Sequence, residues 1–442
     1  MKNARQTAFE ILTKIRRDSS YSNLTVDSVL SDSSLNDADA SFVSALVYGV
    51  LERSHTLDYQ LMLNLKQPLK KLKPQVYTAL QLGVYQLLFM DKVPASAAVN
   101  ESVKLVKSNG CSFAGGLVNA VLRNISKNGL CLPDKSDKSL YYSVAYSFPL
   151  ELVKFWIKSY GEENAEGIMS CCAGRPPLTV RVNTLKTDST KLIDELRASG
   201  IDVESGESKD SLNLGKCGSV EKLTSFTDGN FHVQDAASQF CVAALAPQPD
   251  ETVIDLCAAP GGKSFTIAQY MKNSGKIIAC DIHNHRLDLI RNAATRLGIS
   301  NITCICNDAT QYSPEIPVAD RVLCDVPCSG LGIIRRKPEI RNKPLDDLKS
   351  LPPVQLKILE NASRYVKSGG RLVYSTCALN PKENENVCKR FLESHPEFSV
   401  ETPEFIPENT FVRDGFFTLM PHINNTDGFF IAVFNKERKH ND

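Results

Sequence analysis

From Thr252 onward, short apolar runs alternate with stretches of helical periodicity, and this alternation restricts the fold more than any other feature. Strands are expected at 252–256, 276–280, 301–306, 321–325 and 371–375, with helices from Ser264, through Leu297 and at about 354–366. Apolar strands separated by helices build a parallel sheet covered on both faces, an α/β architecture. The last two runs, 415–419 and 428–434, are joined by a short connection, so a hairpin and an antiparallel final strand are expected.

Three of these strands run straight into turns that carry reactive or polar groups. They are Val253-Ile254-Asp255-Leu256-Cys257-Ala258-Ala259-Pro260-Gly261-Gly262-Lys263, Asp325-Val326-Pro327-Cys328-Ser329-Gly330 and Tyr374-Ser375-Thr376-Cys377. In an open sheet, ligands bind outside the carboxyl ends of the strands, where turn and helix N–H groups are free. The first turn lacks the G-x-G-x-x-G of a dehydrogenase, and Cys257 stands where a P-loop needs its first glycine. Asp255 and Asp281, at the ends of the first two strands, are placed to meet an amino group and ribose hydroxyls. Asp308, just past the third strand, can accept from an adenine amino group. Each aspartate alone would more often be a cap or turn former, but their shared position after consecutive strands favours a ligand.

Two strand-end cysteines suit one reaction in particular. Carbon 5 of a pyrimidine becomes nucleophilic when a thiolate adds at carbon 6; it then attacks a sulfonium methyl, a base removes its proton and the thiolate leaves. Asp325, three residues before Cys328, can supply the proton or hydrogen bond at ring N3 that eases the addition. The plain alternatives are a turn-forming aspartate before Pro327 and cysteines that act as small core hydrophobes. Arg335-Arg336-Lys337 and Arg341 are expected either to hold a phosphate backbone or to form a solvated basic turn.

A chain of 442 residues holds two or three domains, and 42% hydrophobic content is ample for their cores. No apolar run reaches the roughly 18–20 residues of a membrane span, and the start of the chain lacks a signal-peptide pattern, so a cytoplasmic protein with no membrane partner is expected. The fourteen cysteines are scattered through predicted strands and helices, which favours free thiols. Cys171-Cys172 and Cys304-x-Cys306 lack the second half of a zinc site, so no metal is expected.

The front of the chain, 4–125, is helical in pattern, with Ala8, Ile11, Leu12, Ile15, Phe42, Ala45, Leu46, Gly49 and Val50 at core spacing. Turns fall at Pro68, Pro74, Pro94 and Gly115-Gly116; Lys66, Lys70, Lys71 and Lys73 form either a solvated face or an RNA phosphate contact. A polar run at 127–138 reads as a linker. Beyond it, Val180-Arg181-Val182-Asn183 and Ile201-Asp202-Val203 are expected strands around a helix capped by Thr187 or Asp188, and 231–239 opens a further helix. The expected domains are 1–130, all-α; 131–146, linker; 147–235, small α+β module; and 236–442, the α/β domain.

Residues 5–15, 42–50, Val93-Pro94-Ala95 and 116–123 resemble the NusB-type fold, a small helical RNA-binding module. The set 257–263, Asp325 to Gly332, Arg335-Arg336 and 374–377 is similar to the RNA cytosine-5 methyltransferases that use S-adenosyl-L-methionine. With the NusB-like front end, the chain resembles the RsmB family acting on bacterial 16S ribosomal RNA. Val326 departs from the commoner alanine, a change of packing rather than of chemistry. The resemblance implies a class I methyltransferase sheet and S-adenosyl-L-methionine held by Cys257, Ala258, Ala259, Pro260, Gly261, Gly262, Lys263, Asp281, Asp308 and Asp325. It also implies Cys377 as nucleophile, Cys328 assisting release and small-subunit ribosomal RNA as partner; a monomer is expected separately. Spacing alone leaves Cys328 open as the nucleophile. Transfer RNA or large-subunit RNA as target, and an inactive RNA-binding assembly factor, are the competing readings.

Overall fold

The computed structural model describes residues 3–18, 26, 28–29, 35–174, 176–403 and 407–438. Two compact units emerge, one of residues 1–173 with 336–343 and one of 174–335 with 344–442.

The first unit is helical: α1 (Ala4–Asp18), α2 (Asp37–Glu52), α3 (Ser54–Asn64), α4 (Pro74–Phe89), α5 (Ala95–Ser108) and α6 (Gly115–Asn128). Ala8, Ile11, Leu12, Leu46 and Val50 enter one apolar core, as their spacing predicts. Ala45 faces solvent instead, and Val43 and Val47 take the buried positions of α2. The stretch expected as a linker differs from expectation, because α6 continues through Asn128 and α7 (Lys138–Ala145) begins within it. Asp137 caps that helix through the Leu140 N–H at 3.0 Å. The first unit also continues past 146, through α8 (Leu150–Tyr160) and α9 (Glu162–Ser170). Its reason is local: Ser147 Oγ accepts from the N–H groups of His55 and Thr56, and Phe148 packs edge-on to buried Trp156.

The second unit holds two sheets. A small one is ordered β2 (Val203–Ser205), β3 (Ser211–Leu214), β1 (Leu178–Val182), β4 (Phe231–Val233), with α10 (Ser189–Ala198) capped by Asp188. β3 was not expected, and Phe231, His232 and Val233 form a strand rather than the start of a helix, because they pair with Val182, Arg181 and Val180 of β1. The helix α11 (Ala236–Leu245) follows, with Asp235 as its cap.

The larger sheet begins at β5 (Thr252–Asp255), continues through α12 (Gly262–Tyr270) to β6 (Lys276–Asp281), and through α13 (Asn284–Leu297) to β7 (Ile302–Cys306). The chain then returns to the other side of β5 as β8 (Ala319–Asp325), and α14 (Leu351–Ser363) leads to β9 (Val366–Thr376). After α15 (Glu385–Ser394) come β10 (Phe398–Val400), β11 (Phe411–Arg413), β12 (Phe416–Leu419) and β13 (Phe429–Lys436). β5 to β9 are mutually parallel, and β13 runs antiparallel to β9, as expected. Alternate residues serve the two faces: Val253, Leu323, Val373 and Val433 pack against α11–α13, and Ile254, Val322, Leu372 and Phe434 pack toward α14 and α15. The strand order reverses between β5 and β8, which places a crevice at the carboxyl ends of these neighbours.

Candidate active site

The turn after β5 folds tightly because Gly261, at φ +110°, caps α12 where a Cβ would collide with the Phe265 ring. Ala258 N–H donates to Cys280 O and Gly261 N–H to Ala258 O, each at 2.8 Å, and the Ala259–Pro260 bond is cis. A cavity of about 190 Å³ opens against this turn, lined by Val233, Gln234, Asp235, Ser238, Asp255, Cys257, Ala258, Ala259, Pro260, Gly262, Lys263 and Asp325.

Charges on its wall are arranged unequally. Lys263 Nζ lies 2.6 Å from Asp325 Oδ2, while Ser375 Oγ donates to Asp325 Oδ1 at 2.9 Å. Burial alone would lower the Lys263 ammonium, but the Asp325 charge outweighs it and the group is pushed up. Asp255 makes no ion pair among the described residues: its Oδ2 accepts from Ser264 Oγ at 2.7 Å, and burial raises its carboxyl to about 6 against the opposing pull of that bond and of the Lys263 charge. Asp255 Oδ1 and Gln234 Nε2, an acceptor and a donor on the same cavity wall, are buried with no hydrogen-bond partner among the described residues.

The two strand-end cysteines meet. Asp325 pairs with Ser375 across β8 and β9, and beyond that register Cys328 Sγ and Cys377 Sγ stand 2.9 Å apart. Gly332 fixes the approach, donating to Cys377 O at 2.9 Å; a Cβ there would run into the Gly428 carbonyl. The contact with Cys377 and burial both hold the Cys328 thiol well above its ordinary value, with the charges of Glu383 and Asp325 adding to the effect. None of the fourteen cysteines, all of them among the described residues, forms a disulfide.

Among the residues expected at the site, 257–260, Gly262, Lys263 and Asp325 line the cavity; Gly261 shapes its turn, and Cys328 and Cys377 flank the end of β8. Asp281 and Asp308 are not in its lining. Asp281 accepts from the His283 N–H at 3.0 Å and pairs with Arg286 at 3.0 Å, and Asp308 Oδ1 accepts from both the N–H and the hydroxyl of Thr310. Neither expected reading of the basic stretch, phosphate contact or solvated turn, fits two of its arginines: Arg335 is buried and bonded to Asp427 at 2.8 Å, and Arg341 is buried in the first unit, where it donates to the Glu52 and Ser147 carbonyls. Of that stretch, Lys337 is exposed. Lys66, Lys70, Lys71 and Lys73 are exposed, with Lys73 Nζ 5.0 Å from the Phe113 ring.

Sequence reasoning missed Gln234, Ser238 and Glu383. Gln234 and Ser238 belong to a stretch that reads as an ordinary helix start, and its one usable signal was the capping Asp235. Among the described residues no cluster could hold a metal ion, and no helix is long and apolar enough to cross a membrane.

Three family models match successive parts of the chain. Residues 242–435 match the model of the 16S rRNA methyltransferase RsmB/F, residues 2–127 that of the NusB family, and residues 148–221 the ferredoxin-like domain of RsmF/B-like methyltransferases. A probable ribosomal RNA small subunit methyltransferase B of Bacillus subtilis is 39% identical, over 98% of this chain and 99% of its own. The crystal structure of PH0851 superposes with a TM-score of 0.80 at 28% identity, covering 98% of both chains. That of NSun6 from Pyrococcus horikoshii with SFG gives 0.61 at 25% identity, covering 66% of this chain and all (100%) of that one. The chain belongs to the RsmB/F family of 16S ribosomal RNA methyltransferases.

Proposed function

We propose that the chain transfers a methyl group from S-adenosyl-L-methionine to carbon 5 of a cytosine in small-subunit ribosomal RNA, in the cytoplasm, through a covalent adduct with Cys377. The observation that carries this reading is the 2.9 Å contact between Cys328 and Cys377 beside Asp325 at the sheet's switch point. Two thiols and a carboxylate at one strand edge fit pyrimidine carbon 5 chemistry, and the B. subtilis relative's name supports ribosomal RNA as the substrate.

The cavity suits the methyl donor. Among the described residues Asp255 Oδ1 is an unpartnered acceptor, suited to an amino group, and Gln234 Nε2 an unpartnered donor, suited to a carboxylate; the 257–263 turn lines the same cavity. Asp281 and Asp308, at the neighbouring strand ends, are assigned to the ribose hydroxyls and the adenine amino group. Bound there, S-adenosyl-L-methionine supplies an electrophilic sulfonium methyl.

The protein's own steps follow from the sulfur pair. Cys377 as thiolate adds to carbon 6 of cytosine while ring N3 takes a proton from solvent, and Asp325, held by Lys263 and Ser375, accepts a hydrogen bond from that N3–H; the proton returns to solvent when the adduct breaks down. Carbon 5 gains the methyl; its proton then leaves to a base, the sulfur–carbon 6 bond breaks, and the Cys377 thiolate is restored. Cys328, in contact with Cys377, is placed to assist that elimination. Bisulfite mapping of ribosomal RNA from cells with and without this gene tests the reading. A lost 5-methylcytosine in small-subunit RNA is expected; a loss confined to transfer or large-subunit RNA would redirect the substrate, and no loss anywhere would overturn it.

A further inference from the structure

Glu383 lies six residues past Cys377 and has no solvent exposure, and among the described residues no lysine, arginine or histidine pairs with it. A buried carboxylate without a cation is costly unless several donors hold it. Here three do: Glu383 Oε2 accepts from the Ser329 N–H at 2.8 Å and from Gln355 Nε2 at 2.9 Å, and Oε1 accepts from Asn380 Nδ2 at 2.7 Å. Two of the donors come from the cysteine turns, and the third, Gln355 on α14, bonds to one of those turns. Ser329 directly follows Cys328; Asn380 lies three residues after Cys377; and Gln355 Nε2 also donates to the carbonyl of Pro327, just before Cys328, at 2.9 Å. Tyr374, at the end of β9, donates to the Glu383 carbonyl at 2.6 Å.

We infer that Glu383 is a positioning residue for the cysteine pair: its carboxylate ties both turns so that the sulfurs meet, and its charge, bonded beside Cys328, selects which of the two thiols reacts first. This rests on the covalent reading above, but it can be tested on the thiols alone. The charged groups facing Cys328 are Glu383, Asp325 and Cys377, and Lys263 is already engaged by Asp325. Of the two carboxylates, Glu383 is bonded to the residue next to Cys328, whereas Asp325 shares its charge with an ammonium. Beside the contact with Cys377 and burial, the carboxylate share of disfavouring a Cys328 thiolate therefore falls chiefly on Glu383.

The test is alkylation by iodoacetamide across a pH series, in the full chain without RNA, with Cys328 and Cys377 read separately by peptide mass spectrometry. In the unaltered protein Cys377 is expected to react at lower pH than Cys328. In Glu383→Gln, which keeps the volume and removes the charge, Cys328 alkylation is expected to move to lower pH and the gap to narrow. Turnover should fall by about 10²-fold, the scale of a reacting group misplaced by an ångström, with KM for RNA and cofactor affinity unchanged. An unchanged gap in folded Glu383→Gln, or equal reactivity of the two thiols in the unaltered protein, would overturn the inference. Gln355→Leu covers the case in which Glu383→Gln does not fold: the charge stays and one tie to the Cys328 turn is lost. Its turnover should fall with the alkylation order preserved, and full turnover would overturn the positioning role. If Cys377→Ala instead retained methylation, the covalent reading would fail, whatever the alkylation gap.

Discussion

The carboxyl edge of the large sheet has two halves that treat their acidic and sulfur side chains differently. At β5, β8 and β9 stand Asp255, Asp325, Cys328 and Cys377: Asp255 Oδ1 has no hydrogen-bond partner among the described residues, and the two sulfurs meet each other. At β6 and β7, Asp281 and Asp308 are tied into their own turns, by His283 and Arg286 in one case and by Thr310 in the other. Groups held by local structure can help to place a ligand, but only groups left spare can make new bonds in a reaction. On the proposed reading, bond-making belongs to the cysteines of the first half, and the aspartates of the second half serve only to place the ligand.

The largest test of that division is loss of a sulfur. Cys377→Ala should abolish both methylation and the covalent adduct, because the residue that forms the carbon 6 bond is needed before any adduct exists. Cys328→Ala should still form the adduct and accumulate it, visible as a slow RNA-linked band on a denaturing gel. The opposite pattern, with the adduct lost in Cys328→Ala and trapped in Cys377→Ala, would exchange the two roles while leaving the half of the sheet that does chemistry unchanged.

Asp255 gives the next largest effect, and its sign follows from its burial. Its folded carboxyl is raised from an ordinary 3.8 to about 6, so between those pH values the folded state binds the proton that the unfolded state has lost. The contribution is therefore full below pH 3.8 and lost as pH rises through 6, a change of roughly 3 kcal/mol without bound ligand. Urea unfolding at pH 5 and pH 7.5 should show a loss of stability in the unaltered protein that Asp255→Asn lacks. Parallel pH dependence in the two would mean that the carboxylate has a partner after all.

Much of this sheet was legible because apolar runs and helical spacing are local properties, and the three strand-end motifs are contiguous in the chain. The meeting of Cys328 and Cys377 is not local. It requires β8 and β9 to be neighbours in register, which no spacing between residues 328 and 377 states. Arg335 and Arg341 show the same limit for charge: read along the chain they form a basic run, yet one pairs with Asp427, 92 residues away, and the other with carbonyls of α2 and Ser147. Glu383 was illegible for a related reason, since a buried glutamate differs from a surface one only by donors that arrive from elsewhere. β4 was misread because an edge strand of three residues carries too few positions to show a period.

The smallest effects belong to the recognition half, and they separate its two aspartates. Asp281 is almost wholly buried at the end of β6 and shares its carboxylate with Arg286, so a ligand hydroxyl there would meet a charged acceptor. Asp281→Ala should weaken S-adenosyl-L-methionine binding by about 1.5–3 kcal/mol, the range for a hydrogen bond to a charged group. Asp308 is only half-buried and its Oδ1 already serves Thr310, leaving solvent to compete for the other oxygen. Asp308→Asn should cost about 0.5–1 kcal/mol, closer to an ordinary exchanged hydrogen bond. Calorimetry on folded variants measures both against the unaltered protein, with turnover at saturating cofactor as the control. Turnover should then be nearly restored in each, because neither residue touches the reacting carbon. A variant that binds cofactor normally but turns over slowly would move its aspartate into the half of the sheet where Cys377 works.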